Sequence, residues 1–220
     1  MRVVVFEAPG GGRDATVSLL AQALAVPQTS LGDFMRANIS QGTDLGIRVS
    51  ELTKSGNNLV SENLITEVVR DGLERLTHTG FLLLGHPGTL SRALALDDLL
   101  REFDAPLDGV VNLRLPDSGV ERRIHRLAAW RRCRNDRAHR FIPDIHRLSV
   151  EGLCHCGGKL YQHEDETETR YRNMYLSYEA MLEPITQHYA EQGLLVTVDA
   201  AGTFDEISGR ALAALQNRSR

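Results

Sequence analysis

The segment Phe6-Glu7-Ala8-Pro9-Gly10-Gly11-Gly12-Arg13-Asp14-Ala15-Thr16 has the frame of a phosphate-binding loop without its usual side chains. A loop of the form G-x-x-x-x-G-K-[ST] cradles phosphates on backbone N–H groups, reaches them with its lysine and holds magnesium with its hydroxyl. Here Glu7 stands at the first glycine, Arg13 at the lysine and Asp14 at the hydroxyl, with Ala15 next. Glu7 and Asp14 bring negative charge to a cradle for anions. Like charges about 4 Å apart repel by about 4 kcal/mol at an effective dielectric of about 20. Arg13 keeps a positive charge, on a planar fork that does not replace a compact ammonium inside a tight loop. A second group of residues could bind metal. The chain has 3 cysteines, Cys133, Cys154 and Cys156, all in one region. Cys133 is followed by Asp136, and the later pair is compressed to Cys154-His155-Cys156. Tetrahedral zinc accepts thiolate, imidazole and carboxylate. These residues make a candidate zinc set of Cys133, Asp136, Cys154 and Cys156, with His155 as a substitute. The alternative is a segment that folds by hydrogen bonds and carries leftover thiols.

The elements that must position these groups alternate. The apolar run Val3–Phe6 reads as a buried parallel strand. Further strand patterns lie at Val26–Ser30, Phe81–Leu84, Val110–Leu113 and Leu194–Val198. Helical periodicity covers Arg13–Val26, Gly32–Gln41, Asp44–Ser55, Ser61–Thr77, Thr89–Phe103, Gly119–Trp130, Glu166–Gln192 and Asp205–Gln216. Strands alternating with helices predict an α/β fold with a parallel sheet covered on both faces, and Val3–Phe6 as its central strand. Residues 128–168 break the pattern, being rich in Arg, His, Cys and Gly, and read as an inserted loop or small subdomain. The run Arg131-Arg132-Cys133-Arg134, with Arg137 and Arg140, reads as a solvated face, and Glu164-Asp165-Glu166 as facing solvent.

Composition narrows the possible partners. With 25 Lys and Arg against 29 Asp and Glu, the net charge of −4 argues against a dedicated nucleic-acid binder. No stretch is long enough to span a bilayer. The chain enters a strand at once, so no signal peptide is expected. The odd cysteine count disfavours a disulfide framework and places the chain in the cytoplasm.

The order and spacing of four segments resemble the adenylate kinase family, of the long-lid bacterial type, over nearly the whole chain. They are Ala8-Pro9-Gly10-Gly11-Gly12, Ser30-Leu31-Gly32-Asp33-Phe34-Met35-Arg36, Gly80-Phe81-Leu82-Leu83-Leu84-Gly85-His86-Pro87 and Cys156-Gly157-Gly158-Lys159-Leu160-Tyr161-Gln162. The resemblance implies one domain over 1–220 with a five-stranded parallel core, a nucleoside-monophosphate subdomain at 30–60 and a lid insertion at 128–166. It also implies transfer of the terminal phosphate of ATP to AMP with magnesium. The nucleotide-binding set it implies is Gly10, Gly11, Gly12, Arg13, Asp14, Leu31, Arg36, Leu59, Val60, Gly85, Arg92 and Arg123. Arg13, Arg36 and Arg123 are its catalytic members. In the family, a residue at the Arg36 position holds the AMP phosphate and one at Arg123 packs on the ATP base.

Departures from the family pattern fall where the chemistry is. The magnesium-organising aspartate is here Leu84, a phosphate-clamping arginine is Gly88, the base-reading glutamine is Arg92, and a threonine near the AMP base is Leu31. Two lid arginines correspond to His163 and Met174, and one at the lid entry to Leu127. The lid's C-x2-C…C-x2-C zinc spacing is broken, with Leu153 at the third ligand position. The expectation is a monomeric, diverged member that binds a nucleotide or related phosphate compound, makes doubtful use of Mg-ATP and has little or no ordinary kinase activity. The alternatives are an active nucleoside-monophosphate or small-molecule kinase with rearranged phosphate ligands, or different chemistry in the same cleft through His86, Glu7 or Asp14.

Overall fold

The computed structural model describes the chain except residues 10–12, 55–59, 137, 143–147, 149 and 219–220, and the side chains of residues 13 and 14. It separates into two compact units. The first comprises Met1–Glu7, Gly12–Arg114 and Ala180–Arg220, and the second Ala8–Gly11 and Leu115–Glu179.

The first unit is built on β1 (Arg2–Glu7), β2 (Gln28–Ser30), β3 (Phe81–Leu84), β4 (Gly109–Arg114) and β8 (Leu195–Asp199). These strands form one sheet in the order β2-β3-β1-β4-β8. Every pairing is parallel, with Val3 opposite Leu82 and Val4 opposite Val110. Parallel neighbours require crossovers, and helices supply them. The first unit holds α1 (Arg13–Leu24), α2 (Leu31–Gln41), α3 (Asp44–Lys54), α4 (Glu62–Glu74), α5 (Leu90–Glu102) and α8 (Phe204–Arg218). Val3, Val4, Val5 and Phe6 are successive in sequence and all buried, so both faces of the sheet are covered. The central position of Val3–Phe6 agrees with the sequence reading.

Residues 30–54 form a compact helical pair on this unit. Ser30 caps α2 by accepting the Asp33 N–H at 3.2 Å, and Gly42 ends the helix at φ 64°. The buried Asn38 amide donates to Phe34 O and Asp71 Oδ2, and its own oxygen accepts from the Thr43 hydroxyl. A Cβ at Gly46 would stand 2.1 Å from Asn38 O, so α3 approaches α2 closely only because position 46 is glycine.

The second unit contains α6 (Asp117–Ala128), β5 (Arg131–Cys133), β6 (Arg140–Phe141), β7 (Leu160–Tyr161) and the first part of α7 (Glu168–Glu191), whose remainder from Ala180 belongs to the first. The three short strands form an antiparallel sheet in the order β6-β5-β7. Its apolar core gathers Ala8, Ile124, Leu127 and Tyr175, with Val120, Trp130 and Met174 packed against them. The Tyr175 hydroxyl donates to Pro9 O at 2.7 Å. This unit reaches past both ends of the expected insertion at 128–166. Among the described residues no helix is long and apolar enough to cross a membrane.

Candidate functional site

The carboxyl ends of β2 and β3 lie side by side, Ser30 opposite Leu84. In open parallel sheets that edge, beside a reversal of strand order, is where ligands sit. Three helices start close to it, each capped by a hydroxyl three residues upstream of the N–H it accepts. Ser30 caps α2, Ser61 accepts from Leu64 N at 3.3 Å, and Thr89 accepts from Arg92 N at 3.2 Å. Gly85 turns the chain out of β3 at φ 68°, a conformation open to glycine and strained for other residues. Its N–H donates to Val5 O at 3.0 Å, tying this turn to β1.

The residues expected to bind nucleotide are distributed as follows. Leu31 and Arg36 lie on α2, Val60 precedes the cap of α4, Gly85 follows β3, and Arg92 lies in the first turn of α5. Arg123 is buried on α6 in the second unit. Gly10, Gly11, Gly12 and Leu59 fall outside the described residues, as do the side chains of Arg13 and Asp14. Arg36 folds back over the start of its helix. Its guanidinium pairs with Asp33 at 2.6 Å, and a Cβ on Gly32 would approach Arg36 Nη1 to 3.1 Å.

Arg92 has a partner that sequence reasoning missed. Its Nε and Nη2 donate to the two oxygens of Glu62 at 2.7 and 2.8 Å, linking the first turns of α4 and α5. Those bonds hold the Glu62 carboxyl below the usual carboxylate range, and the Arg92 charge adds to the effect. Beside the pair lies His86, only 3% exposed. Burial, with the neighbouring Arg92 cation, pulls its imidazole down to about 4 against the opposing influence of Glu62. His86 is therefore neutral at pH 7 and has no titration near it with which to serve as a proton switch. Glu7, ending β1, is buried as well.

In the second unit the sulfurs of Cys133, Cys154 and Cys156 and a ring nitrogen of His139 all lie within 4.8 Å of one another. The grouping differs from the expected set, with His139 in place of Asp136. The physical reason is a turn. Asp136 Oδ1 accepts the Ala138 N–H at 2.8 Å, and Cys133 N donates to His139 O at 3.1 Å, closing β5 onto β6 and returning His139 to the cysteines. His139 Nδ1 then lies 3.5 Å from Cys154 Sγ, while Nε2 faces Asp136 Oδ2 at 3.5 Å. Asp136 thus backs the imidazole instead of joining the four. His155 is exposed and outside the group. Leu153 pairs with Lys159 across a bridge, and the Cys154–Gly158 turn beyond it brings Cys154 and Cys156 to Cys133.

The donor chemistry fits zinc. Four ligands at Zn–S distances of about 2.3 Å set sulfurs about 3.8 Å apart, and the cluster's span accommodates that. A histidine backed by a carboxylate is the usual outer arrangement of such a site. Burial raises the Cys133 thiol, but the backbone N–H groups around Asp136 and Asn135 and the neighbouring thiols outweigh it and bring the group to about 7. Zinc, when bound, would supply a four-way crosslink between the β5–β6 hairpin and the Cys154–Gly158 turn.

Of the charged residues read from sequence as facing solvent, Arg134, Arg140, Glu164 and Asp165 are exposed, and Glu166 departs. Glu166 is only 3% exposed and accepts from Arg132 Nε and Nη2 at 2.9 and 2.7 Å. Arg134 lies over the Tyr161 ring and Arg140 over Trp130. Two expected clamp positions are also accounted for. Leu127 is buried in the apolar core, and Met174 packs against the same core. His163, at the third, is exposed beside Asp165.

A five-stranded parallel sheet with a glycine-rich loop after its central strand defines a P-loop-type α/β nucleotide-binding fold. The family model for adenylate kinase matches residues 5–194. The adenylate kinase of Streptomyces avermitilis is 39% identical over 218 residues, covering 98% of this chain and 97% of its own. That of Acidothermus cellulolyticus is 37% identical over 222 residues and covers both chains completely, at 100% each. That of Methanocella arvoryzae is 34% identical over 218 residues, 98% of this chain and 99% of its own. The chain belongs to the adenylate kinase family.

Proposed function

We propose that this member binds a nucleotide or related phosphate compound at the carboxyl edge of the five-stranded sheet, beside Leu31, Arg36, Val60, Gly85 and Arg92, and has little or no ordinary ATP:AMP phosphotransferase activity. Arg13 and Arg123 stay in the set on the strength of the resemblance. The observation that carries the reading is the burial of Leu127 and the packing of Met174 on the same core. Two positions where the family pattern has phosphate-gripping arginines are here structural apolar residues, and a cation at Leu127 would be buried without water. Phosphoryl transfer depends on positioning and electrostatic stabilisation, and a single transition-state arginine is worth about 10³-fold or more. Leu84 removes the expected carboxylate near magnesium, so Mg-ATP would be held weakly. In the second unit, Cys133, His139, Cys154 and Cys156 would hold zinc in a structural role. The chain is proposed to act as a cytoplasmic monomer. Calorimetry with ATP, AMP and ADP, with and without magnesium, and a coupled assay for ADP formation test the reading. An ordinary kinase rate from ATP and AMP sinks it.

One observation favours an active kinase with rearranged phosphate ligands. Glu62 engages Arg92 through Nε and Nη2, and Nη1 lies 3.6 Å from where a Gly88 Cβ would be. Arg92 thus presents a guanidinium beside the position where the family pattern has its own arginine. On this reading the protein makes ADP, and Arg92→Ala abolishes it while nucleotide-free stability barely changes.

A further inference from the structure

At the amino edge of the five-stranded sheet, opposite the candidate ligand edge, the first unit holds a cavity of about 410 Å³, a volume suited to a small molecule. It opens between the end of α5, the connection into β4 and the connection from α7 into β8, with Leu100, Leu107 and Leu194 as its apolar wall. The polar wall is rich in acceptors. Asp97 Oδ2 accepts from His188 Nε2 at 2.7 Å and from Gln192 Nε2 at 3.0 Å, which fixes a carboxylate whose side chain is only 15% exposed. The hydroxyl of Tyr189, a completely buried residue, faces the same carboxylate without closing a hydrogen bond. Burial, with the Asp97 charge, holds that phenol well above its usual range. Asp104 follows two helical turns beyond Asp97, on the same face. It ends α5 in the left-handed conformation, at φ 51°, where glycine is the unstrained choice. Among the described residues its carboxylate has no ion pair. The cations nearby are engaged elsewhere: Arg101 pairs with Asp98 at 2.6 Å, Arg2 donates to Pro106 O and Arg218 to Gly193 O.

We propose that this cavity is a second ligand site, for an aliphatic diamine or polyamine whose ammonium groups meet Asp97 and Asp104 and whose hydrocarbon chain lies on Leu100, Leu107 and Leu194. Two turns of helix set the carboxylates about 10 Å apart along the axis of α5, a span that an alkyl chain with an ammonium at each end bridges. Helices α5 and α7 both end at this edge, and their negative ends add to the attraction for a cation. Gln192 has its amide nitrogen engaged by Asp97, which leaves its oxygen to accept from an ammonium. An anion would face two carboxylates here. A bare metal ion would leave the apolar wall uncovered, and an amine with a single charged head would reach one carboxylate only. The proposal stands whichever phosphate chemistry the opposite edge performs, because none of these residues belongs to that site.

Calorimetric titration of the full chain with cadaverine and spermidine, at fixed ionic strength, tests it. The expected result is saturable binding of about one amine per chain with a dissociation constant below about 1 mM. Pentylamine, which carries one ammonium, should bind about tenfold more weakly, and magnesium chloride should not displace the diamine. Asp104→Gly removes one carboxylate at a backbone position that glycine favours, so the variant folds, and it should weaken cadaverine binding by about tenfold. Heat that never saturates overturns the proposal. So does magnesium competing as well as the amines, which would mean charge screening alone, or an Asp104→Gly chain that binds cadaverine as tightly as the parent.

Discussion

The carboxyl edge of the five-stranded sheet and the cysteine cluster of the second unit have diverged in opposite ways. At the sheet edge the backbone devices are in place: hydroxyl caps on α2, α4 and α5, and a left-handed glycine after β3. The charged side chains have changed, with Leu84 and Gly88 where a carboxylate and a guanidinium are expected and a Glu62–Arg92 pair across the helix starts. In the cluster the spacing has changed and the chemistry is recomposed. His139, brought around by the Asp136 turn, stands with the three cysteines as a four-donor group that the cysteine spacing alone does not provide. The sheet edge is shaped by backbone and caps, whereas the cluster is made of side chains that local turns bring together.

Rebuilding the sheet edge gives the largest expected effect. Glu7→Gly, Arg13→Lys and Asp14→Gly together should improve triphosphate affinity with little gain in turnover. Adding Leu84→Asp and Gly88→Arg should raise ADP formation by about 10³-fold, since such groups act as a unit. If the unsubstituted chain already turns over at that level, the contrast between kept backbone and lost charge collapses.

Next in size is the acid response of the same edge. His86 has its ordinary value of 6.5 in the unfolded chain and about 4 when folded, so the unfolded chain takes up the proton first. Its contribution is complete above about pH 6.5 and lost progressively as pH falls toward 4, amounting to about 3 kcal/mol. Urea unfolding of His86→Phe across that window should show a flatter pH dependence than the parent. Parallel curves would mean that His86 is protonated in place.

A smaller effect separates a backing residue from a ligand in the cluster. Asp136→Asn should weaken zinc binding by about 10–100-fold in a chelator competition, and Cys133→Ala by more. Equal losses would return Asp136 to the ligand set. The smallest effect belongs to the Glu62–Arg92 pair. Glu62 is more than half exposed, so Arg92→Ala should cost no more than about 1 kcal/mol in thermal unfolding. A larger cost would make the pair a structural fastening of α4 to α5 and not a feature of the ligand edge.

Strands were easiest to read where two covered faces force an unbroken apolar run, as in Val3–Phe6 and Phe81–Leu84. The eight helical stretches also matched within a few residues, because long periodic segments carry their own signal. Arg131–Cys133, Arg140–Phe141 and Leu160–Tyr161 were invisible, since strands of two or three residues have no period to detect. His139 was missed for a related reason. A search for thiol spacing does not see that an aspartate side chain will accept a backbone N–H and swing a histidine into range. Glu166 was misread because an acidic run suggests solvent, and only the fold shows Arg132 covering it. Leu127 and Met174 could be recognised as departures from the family pattern, but their place in an apolar core could not.

The discontinuity of the first unit bears on how the protein is made. Strand β4 ends at Arg114, and its outer neighbour β8 begins only at Leu195, about 80 residues later. At synthesis rates of about 5–20 residues per second, that edge of β4 stands open for about 4–16 s while the second unit is translated. A Val-Val-Asn-Leu edge left unpaired for that long is a template for association with other nascent chains. Ribosome-bound chains stalled before Leu195 should therefore expose Gly109–Arg114 to protease, and chains extended beyond the β8 segment and clear of the exit tunnel should protect it.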